Sequence, residues 1–469
     1  NSTFQNISDV SIYAEDLRDS NISGNEFFGN PAGNGERDIV LNNKYSANGM
    51  AFGNIQITNN SFSNSDRPAI QLDSRAEALV GGVTISGNSF DSDISTLTYS
   101  WTRIDVNLNS SYTHAPVAIT DNSITFTGNS SAGSTGTSAI SLSGGSDAIT
   151  ISGNTLTDNT TLGGYSTTGI AIITDNSFSG AISSTAVIDI SNNFIDGFDT
   201  AVLVYDSLAA EFGGLTAGAQ INFNNNSVTG STANIASGAG AAVNASNNWW
   251  GSNVEATVAS LIAGNVDFTS YLDNGTDTDA GTAGFQGDFN VVNVTALGEQ
   301  TGPLSRIQEA IEALNPGGTI NIASGTYAGN VDATATGIDK SVKLVPGSSP
   351  GQVVIAGDLK LDGNDIVDVE VNGTIAGTEY DQFIVNGDLA LGGATLNLID
   401  GFDPADGDRF TLIQNNGINP VSGTFFDYPE GHEFTDFLGS GLNAYLTYVG
   451  GDGNDVVILM EDSTPEVTL

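Results

Sequence analysis

A short apolar pattern recurs through the first 250 residues. In the stretch DAITISGNTLTDN, residues 147–159, Ile149 and Ile151 alternate with polar residues, Gly153 and Asn154 follow, and Leu156 resumes the apolar series. Alternation over so few residues indicates a half-buried β-strand, and the Gly, Asn, Asp, Ser and Thr cluster behind it is typical of a turn. The pattern therefore predicts a strand and a turn, not a helix.

Nine copies of this phrase align on one asparagine. Each copy has an apolar or small residue three positions before the asparagine and an apolar residue two positions after it; the asparagines are Asn25, Asn60, Asn88, Asn122, Asn154, Asn176, Asn193, Asn226 and Asn248. Successive copies are 35, 28, 34, 32, 22, 17, 33 and 22 residues apart. Irregular intervals around a constant strand and turn predict a solenoid with one fixed corner and loops of variable length.

Stacking of such strands gives each backbone a partner above and below, at about 4.8 Å per coil. We expect asparagine at the corner because it tolerates left-handed φ and because its amide bonds both the local backbone and the equivalent amide one coil away. The nine asparagines are therefore predicted to form a structural ladder.

The recurring ISGN-x-[FIL] phrase and the terminal copy NASNNWWG, residues 244–251, closely resemble the repeats of secreted right-handed parallel β-helix proteins of the pectate-lyase-like superfamily. The resemblance covers residues 22–251. It implies an all-β, right-handed parallel β-helix and a secreted or cell-surface location. It does not select an activity, because this superfamily contains lyases, hydrolases, epimerases, adhesins and phage fibres.

The chain changes character after residue 271. DNGTDTDAGTAG, residues 273–284, has no apolar periodicity and predicts a linker over 272–285. Beyond it, one face of a helix is predicted by Leu304, Ile307, Ile311 and Leu314, with Pro303 in its first turn and Asn-Pro-Gly-Gly after it. With the strand and the GTY phrase that follow, this order resembles the cap and first coil of a second β-helix, as in pectin-methylesterase-like secreted proteins, over 286–370.

The last segment, 371–469, resembles the C-terminal β-module of large bacterial surface proteins and autotransporter-like passengers. The resemblance lies in Gly-Asp turns and in alternating apolar residues, namely Phe383, Val385, Leu389, Leu391, Ala394, Leu396 and Leu398. The predicted organisation is thus a β-helix over 1–271, a linker, a capped second β-helix-like segment over 286–370 and a β-rich module.

The net charge of the chain limits the kinds of molecule that it can bind. The chain has 11 Lys and Arg residues against 54 Asp and Glu residues, a net charge of -43. Nucleic acids and anionic membranes both require the opposite sign and are excluded as partners. No stretch approaches the 18 or so apolar residues of a membrane span, and the absence of cysteine removes disulfides and thiolate metal sites.

Candidate chemistry concentrates in residues 97–114, which carry Tyr99, Trp101, Arg103, Asp105, Tyr112 and His114. Aromatic rings that stack on sugars, together with an acid or base, are what a carbohydrate site needs. The catalytic candidates are therefore Asp105, Arg103 and His114. The alternative is a loop that buries its own aromatic rings. A lyase cleft is disfavoured because Arg103 is the only Lys or Arg between Arg75 and Arg306.

One calcium motif is present. Residues 450–457, GGDGNDVV, match a single nonapeptide of the repeats-in-toxin type, which makes Asp452 and Asp455 candidate Ca²⁺ ligands. Such sites need consecutive copies, so a plain Gly-Asp hairpin is the alternative. No other cofactor is expected.

These observations predict an extracellular structural or adhesive β-solenoid, used as a stalk, adhesin or fibre subunit of a bacterial cell surface. The alternative is a polysaccharide-active lyase, hydrolase or epimerase. The predicted partners are extracellular glycans or the chain itself. The column enters its repeat by Ile22 without a preceding helix, so its end would be covered head-to-tail by another molecule. Otherwise an irregular cap would cover that end, formed by Phe4, Val10, Ile12 and Leu17. At the far end, Trp249 and Trp250 are expected to plug the column.

Overall fold

The computed structural model describes residues 1–29, 37–43, 52–74, 76–96, 102–128, 137–145, 148–161, 166–175, 179–206, 216–238, 240, 242–334, 340–347 and 350–461. The chain forms two compact units. Unit 1 comprises Asn1–Phe268, Asn274–Asp288 and Gly298–Thr301. Unit 2 comprises Thr269–Asp273, Phe289–Leu297 and Gly302–Leu469.

Unit 1 is a parallel β-solenoid with three sheets, each built from one strand per coil. Sheet I contains Arg18–Ser23, Gly53–Thr58, Val83–Ser86, Val117–Thr120, Ala148–Ser152, Val187–Ser191, Gln220–Asn224, Val243–Asn244 and Val266–Asp267. Sheet II contains Thr3–Gln5, Glu26–Phe28, Ser61–Ser63, Ser89–Asp93, Ser123–Thr127, Thr155–Asp158, Phe194–Asp196 and Ser227–Thr229. Sheet III contains Val10–Glu15, Arg37–Asn42, Ile70–Ser74, Ile104–Leu108, Thr137–Gly144, Thr167–Asp175, Thr200–Asp206, Ala233–Ala236 and Ile262–Ala263. The predicted all-β parallel solenoid is confirmed.

The alternating residues build the core as the pattern predicts. In sheet I, Val83, Val117, Ile149 and Ile188 occupy equivalent positions of successive strands and are buried. In sheet II the same principle produces a stack of phenylalanine rings whose centroids are 4.7 to 4.8 Å apart, formed by Phe4, Phe27, Phe62 and Phe90. Full burial of each such side chain contributes about 1.5 to 3 kcal/mol, so coil-to-coil register is strongly specified.

The first coil begins earlier than predicted. Phe4 lies in the strand Thr3–Gln5, which pairs with Glu26–Phe28, while Val10 and Ile12 lie in Val10–Glu15, which pairs with Arg37–Asn42. These three residues are therefore regular strand residues, so the alternative of an irregular cap is wrong for them and the repeat begins before Ile22. The strands Thr3–Gln5 and Val10–Glu15 precede Asn25, the first asparagine of the repeated phrase, so the phrase alone does not mark them.

The other end of unit 1 carries a short helix, Glu255–Ser260, that the sequence analysis did not predict. Trp250 is buried there and stacks on Phe223 with ring centroids 5.8 Å apart. Trp249 is only half-buried and forms a bridge with Ser227. Of the predicted linker 272–285, residues 274–285 group with unit 1, and Phe285 is buried with its ring centroid 5.5 Å from that of Phe194.

Unit 2 contains a second set of stacked strands. Sheet IV contains Tyr271–Leu272, Val291–Val294, Thr319–Ile322, Lys343–Pro346, Ile366–Val371 and Thr395–Asp400. Sheet V contains Gly325–Tyr327, Gln352–Ile355, Gln382–Val385, Arg409–Asn415, Asp455–Met460, Ala444–Gly450 and Glu433–Phe434. Sheet VI contains Val331–Asp332, Leu359–Lys360 and Leu389–Ala390. The pairing becomes antiparallel from Arg409–Asn415 onward.

The predicted helix of unit 2 is confirmed, with a later start. It spans Arg306–Ala313, and the Ser305 side chain caps it by accepting a hydrogen bond from the Gln308 N–H. Ser305 takes the capping position because its hydroxyl satisfies an N–H that has no partner in the helix, so Pro303 lies before the helix. Ile307, Ile311 and Leu314 are buried as predicted.

Candidate functional site

The asparagine corner is a continuous hydrogen-bonded ladder. At each step, the backbone N–H and the side-chain amide of one asparagine both donate to the Oδ1 of the next. Asn88, for example, donates twice to Asn122 Oδ1 at 3.0 Å, and its amide also donates to the Ile57 carbonyl at 2.8 Å. The ladder passes through Asn25, Asn60, Asn88, Asn122, Asn154, Asn193, Asn226 and Asn248.

The left-handed residue of each corner is not the ladder asparagine but the residue before it. These residues have φ between 55° and 69° and are Gly24, Asn59, Gly87, Asp121, Gly153, Asn192, Asn225 and Asn247. Only Gly, Asn and Asp adopt this conformation at low cost. The sequence signal is therefore Gly, Asn or Asp followed by Asn, with the first residue making the turn and the second making the ladder.

Asn176 itself lies outside the described residues, but its neighbours show why its copy of the phrase misled. Asn154 donates directly to Asn193 Oδ1 at 2.9 Å, so the ladder makes one step of 39 residues there. The preceding residues, AIITD, lie in sheet III as part of Thr167–Asp175, and Asp175 has no left-handed φ. The residues AIITD therefore belong to a strand of sheet III. The prediction that this phrase contains a sheet I strand is wrong.

Arg103 lies in the interior of unit 1. Its side chain is fully buried and donates to the Ser65 carbonyl at 2.5 Å and to Ser92 Oγ at 3.3 Å. Its guanidinium carbon is 6.0 Å from the Phe126 ring centroid. Burial lowers the pKa of Arg103 to about 10, whereas Asp38 and Asp66, both buried, oppose that shift. Arg103 thus neutralises buried carboxylates and is not a surface group available to a substrate.

His114 is held by the backbone on both sides of its ring. The Leu79 N–H donates to Nδ1 at 3.1 Å, so Nε2 carries the proton in a neutral ring and donates to the Asn109 carbonyl at 2.8 Å. The His114 side chain is buried, and the centroids of the Tyr112 and His114 rings are 6.4 Å apart. The structure does not bring Arg103, Asp105 and His114 together as a catalytic group. Tyr99 and Trp101 lie outside the described residues.

Asp105 instead belongs to a polar cluster on the side of sheet III that faces away from the apolar core, where Asp105 and Gln71 are half-buried while Asp73 and Asn107 are buried. In register, Asp105 lies beside Gln71 of the previous coil, and Asn107 lies beside Asp73. The Asn107 amide donates to Asp105 Oδ2 at 3.0 Å, and the Gln71 amide donates to Asp73 Oδ2 at 3.2 Å. Two carboxylates on neighbouring coils therefore share one face, each held by an amide two residues away in its own strand.

Basic and phenolic groups lie within electrostatic range of these carboxylates. Burial lowers the pKa of Arg37, as does the nearby charge of Arg67, while Asp73, Asp9 and Asp105 raise it. Burial also raises the pKa of Tyr205, and Asp105 adds to that shift. We call the group of Arg37, Arg67, Gln71, Asp73, Asp105, Asn107 and Tyr205 the sheet III patch.

Most of the sheet III patch is not visible in the sequence of one loop, because its members come from several coils. Asp73 and Asp105 are 32 residues apart, yet they come to one face because the strands IQLDS and IDVNL stack in register. The cations were likewise sought after Arg75, whereas Arg37 and Arg67 come from earlier coils. An alignment of the sheet III strands, in addition to the asparagine phrases, could have found Asp73.

Asp452 and Asp455 lie at a hairpin between Ala444–Gly450 and Asp455–Met460. The Gly453 N–H donates to the Gly450 carbonyl at 2.8 Å, and Asp455 Oδ1 accepts from the Asn415 N–H at 2.9 Å. Burial raises the pKa of Asp455, and Asp452 adds to the shift. No group of three or more His, Asp or Glu side chains that could hold a metal ion occurs among the described residues. Calcium binding here stays a prediction.

Comparison with known proteins adds no identification: no protein-family model matches the chain, and no curated protein matches it. Of the helices that the structure describes, none has the length and apolar character needed to cross a membrane.

Proposed function

We propose that this chain is an extracellular adhesive or structural β-solenoid of a bacterial cell surface, and that the sheet III patch is where it contacts a glycan. The observation that carries the proposal is the half-buried Asp105 beside Gln71 in register, above the buried Asp73 and within electrostatic range of the Arg37 guanidinium and the Tyr205 phenol. Such groups offer the acceptors and donors that sugar hydroxyls require. We include in the proposal a relationship to the pectate-lyase-like superfamily and to the C-terminal modules of surface proteins.

The rest of unit 1 supports a structural role for the column. The asparagine ladder uses both ends of each amide, so every coil is tied to the next by side-chain and backbone bonds. A column with such continuous bonding suits a stalk, because each coil is supported by its neighbours and not by a distant part of the chain.

A glycan array and a panel of polysaccharides, each used with and without calcium, test the glycan proposal. We expect the purified chain to bind a subset of neutral glycans and Asp105→Asn to weaken that binding about tenfold, which is the loss of one charge-assisted hydrogen bond. Asp189→Asn is the matched control. Asp189 is also a half-buried carboxylate on an outward strand position, where it accepts from the Asn222 amide at 2.8 Å, but it lies in sheet I. Equal binding by wild type and Asp105→Asn would refute the proposed site.

Polysaccharide hydrolysis is a second candidate function, which the placement of Asp73 and Asp105 favours. The two residues are one strand and two positions apart, so their backbones are about 8 Å from each other. In inverting glycosidases it is the two carboxyl groups, acting as acid and base, that are about 6.5 to 9.5 Å apart, so hydrolysis here requires the buried Asp73 carboxylate to reach the substrate beside Asp105. New reducing ends in the same polysaccharide panel, lost in both Asp73→Asn and Asp105→Asn, would support hydrolysis. Binding without any product would support adhesion.

A further inference from the structure

Unit 2 contains an open pocket of about 440 Å³ that neither the solenoid nor the sheet III patch explains. Its lining includes Asn397, Tyr428, His432, Glu433, Phe434 and Asp436. A volume of this size is within the range of small-molecule sites, roughly 300 to 1,000 Å³.

Three rings meet at this pocket. The ring centroids of Tyr428 and His432 are 4.5 Å apart, those of His432 and Phe434 are 4.8 Å apart, and those of Tyr428 and Phe434 are 5.0 Å apart. All three side chains are partly exposed to solvent, whereas Phe437 beside Phe434 is buried. His432 and Phe434 are two residues apart in extended chain, which turns both toward one side. The rings thus form a partly exposed aromatic wall.

Two carboxylates border the pocket: Asp436 lies at its rim, whereas Glu433, between His432 and Phe434 in the extended chain, turns to the opposite side of the strand. Glu433 Oε1 accepts from the Asn443 amide at 2.7 Å and from the Tyr445 hydroxyl at 3.3 Å. Asp436 Oδ1 accepts from the Gly441 N–H at 2.7 Å. Within the described part of the chain, no bond is recorded for the second oxygen of either group. Neither Lys nor Arg lines the pocket.

The backbone around the pocket is held in an unfavourable conformation. Asp436 and Leu438 both have φ of 52°, although neither is glycine. Non-glycine residues in this region cost free energy and persist where the surrounding structure enforces them, often at ligand sites. The loop is therefore fixed in shape, which is what a preformed pocket requires.

We propose that this pocket binds an organic ammonium ion. Aromatic faces attract cations through their negative quadrupole, and carboxylates accept the ammonium N–H groups. The lining has both features and lacks a cation that would compete. The net charge of -43 adds a field that concentrates cations near the protein. The ammonium group could come from a lysine side chain or from an amino sugar, and the two sources share this recognition chemistry.

The test is a titration of the full chain at low ionic strength, observed through the NMR resonances of the aromatic rings. Nα-acetyl-lysine amide carries the ammonium group on an alkyl chain, and glucosamine carries it on a sugar ring. Nα-acetyl-norleucine amide and N-acetylglucosamine are their uncharged counterparts. We expect at least one ammonium probe to bind at millimolar concentration or below, and about tenfold more tightly than its neutral counterpart, since the cation–π attraction and one charge-assisted bond are lost.

Variants separate the pocket from general attraction to an acidic protein. Phe434→Ala removes a ring, and Asp436→Asn removes a charge while keeping an oxygen that can accept from the Gly441 N–H. Both should weaken ammonium binding about five- to tenfold. Phe426→Ala, at an exposed ring outside the lining, and Asp452→Asn, at an exposed acid elsewhere in unit 2, should leave it unchanged.

Three results would overturn the proposal. Equal binding of glucosamine and N-acetylglucosamine would make the pocket a neutral sugar site. Ammonium binding that Asp436→Asn leaves unchanged, with the fold intact by circular dichroism, would indicate diffuse attraction. Absence of ring shifts with every probe at tens of millimolar would mean that the pocket binds none of these ions. None of these outcomes concerns the sheet III patch of unit 1, so the glycan proposal is tested separately.

Discussion

The two units satisfy the backbone groups of their coil corners with different side chains. Unit 1 uses asparagine amides, whereas unit 2 uses buried aspartates. Asp365 accepts from the Val342 N–H at 3.0 Å and from the Asp362 N–H at 2.9 Å. Asp381 accepts from the Gly351 N–H at 2.7 Å and from the Glu370 N–H at 2.8 Å. Both carboxylates are almost fully buried.

The difference follows from the donor and acceptor inventory of the two side chains. An amide donates and accepts, so one asparagine can pass a hydrogen bond to the next and a ladder can run through many coils. The side chain of an ionised aspartate only accepts, so Asp365 and Asp381 each join two backbone N–H groups. Where coils of unit 2 are linked in series, through Asn330, Asp358 and Asp388, only the backbone N–H groups donate. Unit 1 therefore has a neutral corner that propagates through side-chain amides, while unit 2 has corners that carry charge and respond to pH.

Unit 1 also buries charge, and there we expect the largest effect of a single substitution. Arg103→Met keeps much of the side-chain volume but leaves Asp38 and Asp66 buried without this cation. Removal of one partner from a buried charged group costs about 3 to 5 kcal/mol. The unfolding of unit 1 can be followed by tryptophan fluorescence, because all three tryptophans, at positions 101, 249 and 250, precede residue 269. Arg18→Met, at an exposed strand position, is the control and should change stability by less than about 0.5 kcal/mol.

The ladder should give the next largest effect. Asn122→Ala removes the acceptor for both the backbone N–H and the amide of Asn88, which stay buried. Each unsatisfied buried group costs about 1 to 3 kcal/mol, so we expect a loss of about 3 kcal/mol in the tryptophan-reported transition. Asn222→Ala, which removes a half-buried asparagine with one bond to Asp189, should cost less than about 1 kcal/mol. Similar losses for the two variants would show that the ladder adds nothing beyond an ordinary hydrogen bond.

The ladder also shows how far sequence reasoning reaches. All eight of its members lie within copies of one phrase because strand, turn and amide follow each other locally: Asn25, Asn60, Asn88, Asn122, Asn154, Asn193, Asn226 and Asn248. The helix Arg306–Ala313 was accessible for the same reason, since its apolar face and its ends are encoded within a dozen residues.

Features that depend on stacking were not accessible. Asp73 and Asp105 meet only because the loop between two sheet III strands has a particular length, and a single sequence does not fix which strands pair. The carbohydrate-site prediction for Arg103 rests on its neighbours within residues 97–114, whereas the carboxylates that act on it, Asp38 and Asp66, come from earlier coils. The phrase at Asn176 misled because it has the right composition while Asp175 continues a strand.

The charged corners of unit 2 predict a pH dependence that the amide ladder should not show. Burial raises the pKa of Asp381 from 3.8 to about 6, against the opposing effect of its two N–H donors. A raised pKa in the folded state means that stability from this group is complete below about pH 4 and is lost as pH rises through about 6. Asp381→Asn should remove this loss, so the stability of the variant relative to wild type should rise by about 2 kcal/mol between pH 4 and pH 7.

The measurement for Asp381 is urea unfolding at several pH values, followed in unit 2 by hydrogen exchange of peptides that contain residues 351 and 370. Carboxyl NMR of wild type supplies an independent check, with a midpoint for Asp381 near pH 6. A midpoint near 4 would contradict the expected effect of burial. The difference in unit 1 stability between Asn122→Ala and wild type should stay constant over the same pH range, because an amide does not titrate.

The smallest expected change in stability is the one caused by calcium. It would distinguish the two units, because only unit 2 would respond specifically to the ion. Asp452 and Asp455 are close enough for Asp452 to raise the pKa of Asp455, so a divalent ion between them would relieve their repulsion. At about ten times its dissociation constant, calcium would stabilise unit 2 by about 1.4 kcal/mol. Magnesium at matched ionic strength is the control for screening, and Asp452→Asn should abolish the calcium-specific part of the stabilisation.

Both salts will raise the stability of this acidic chain by screening. A specific site therefore requires that calcium stabilise unit 2 more than magnesium does, while the two ions stabilise unit 1 equally in the tryptophan-reported transition. Equal stabilisation of both units by the two ions would mean that the Gly-Asp turn is a hairpin without a calcium site.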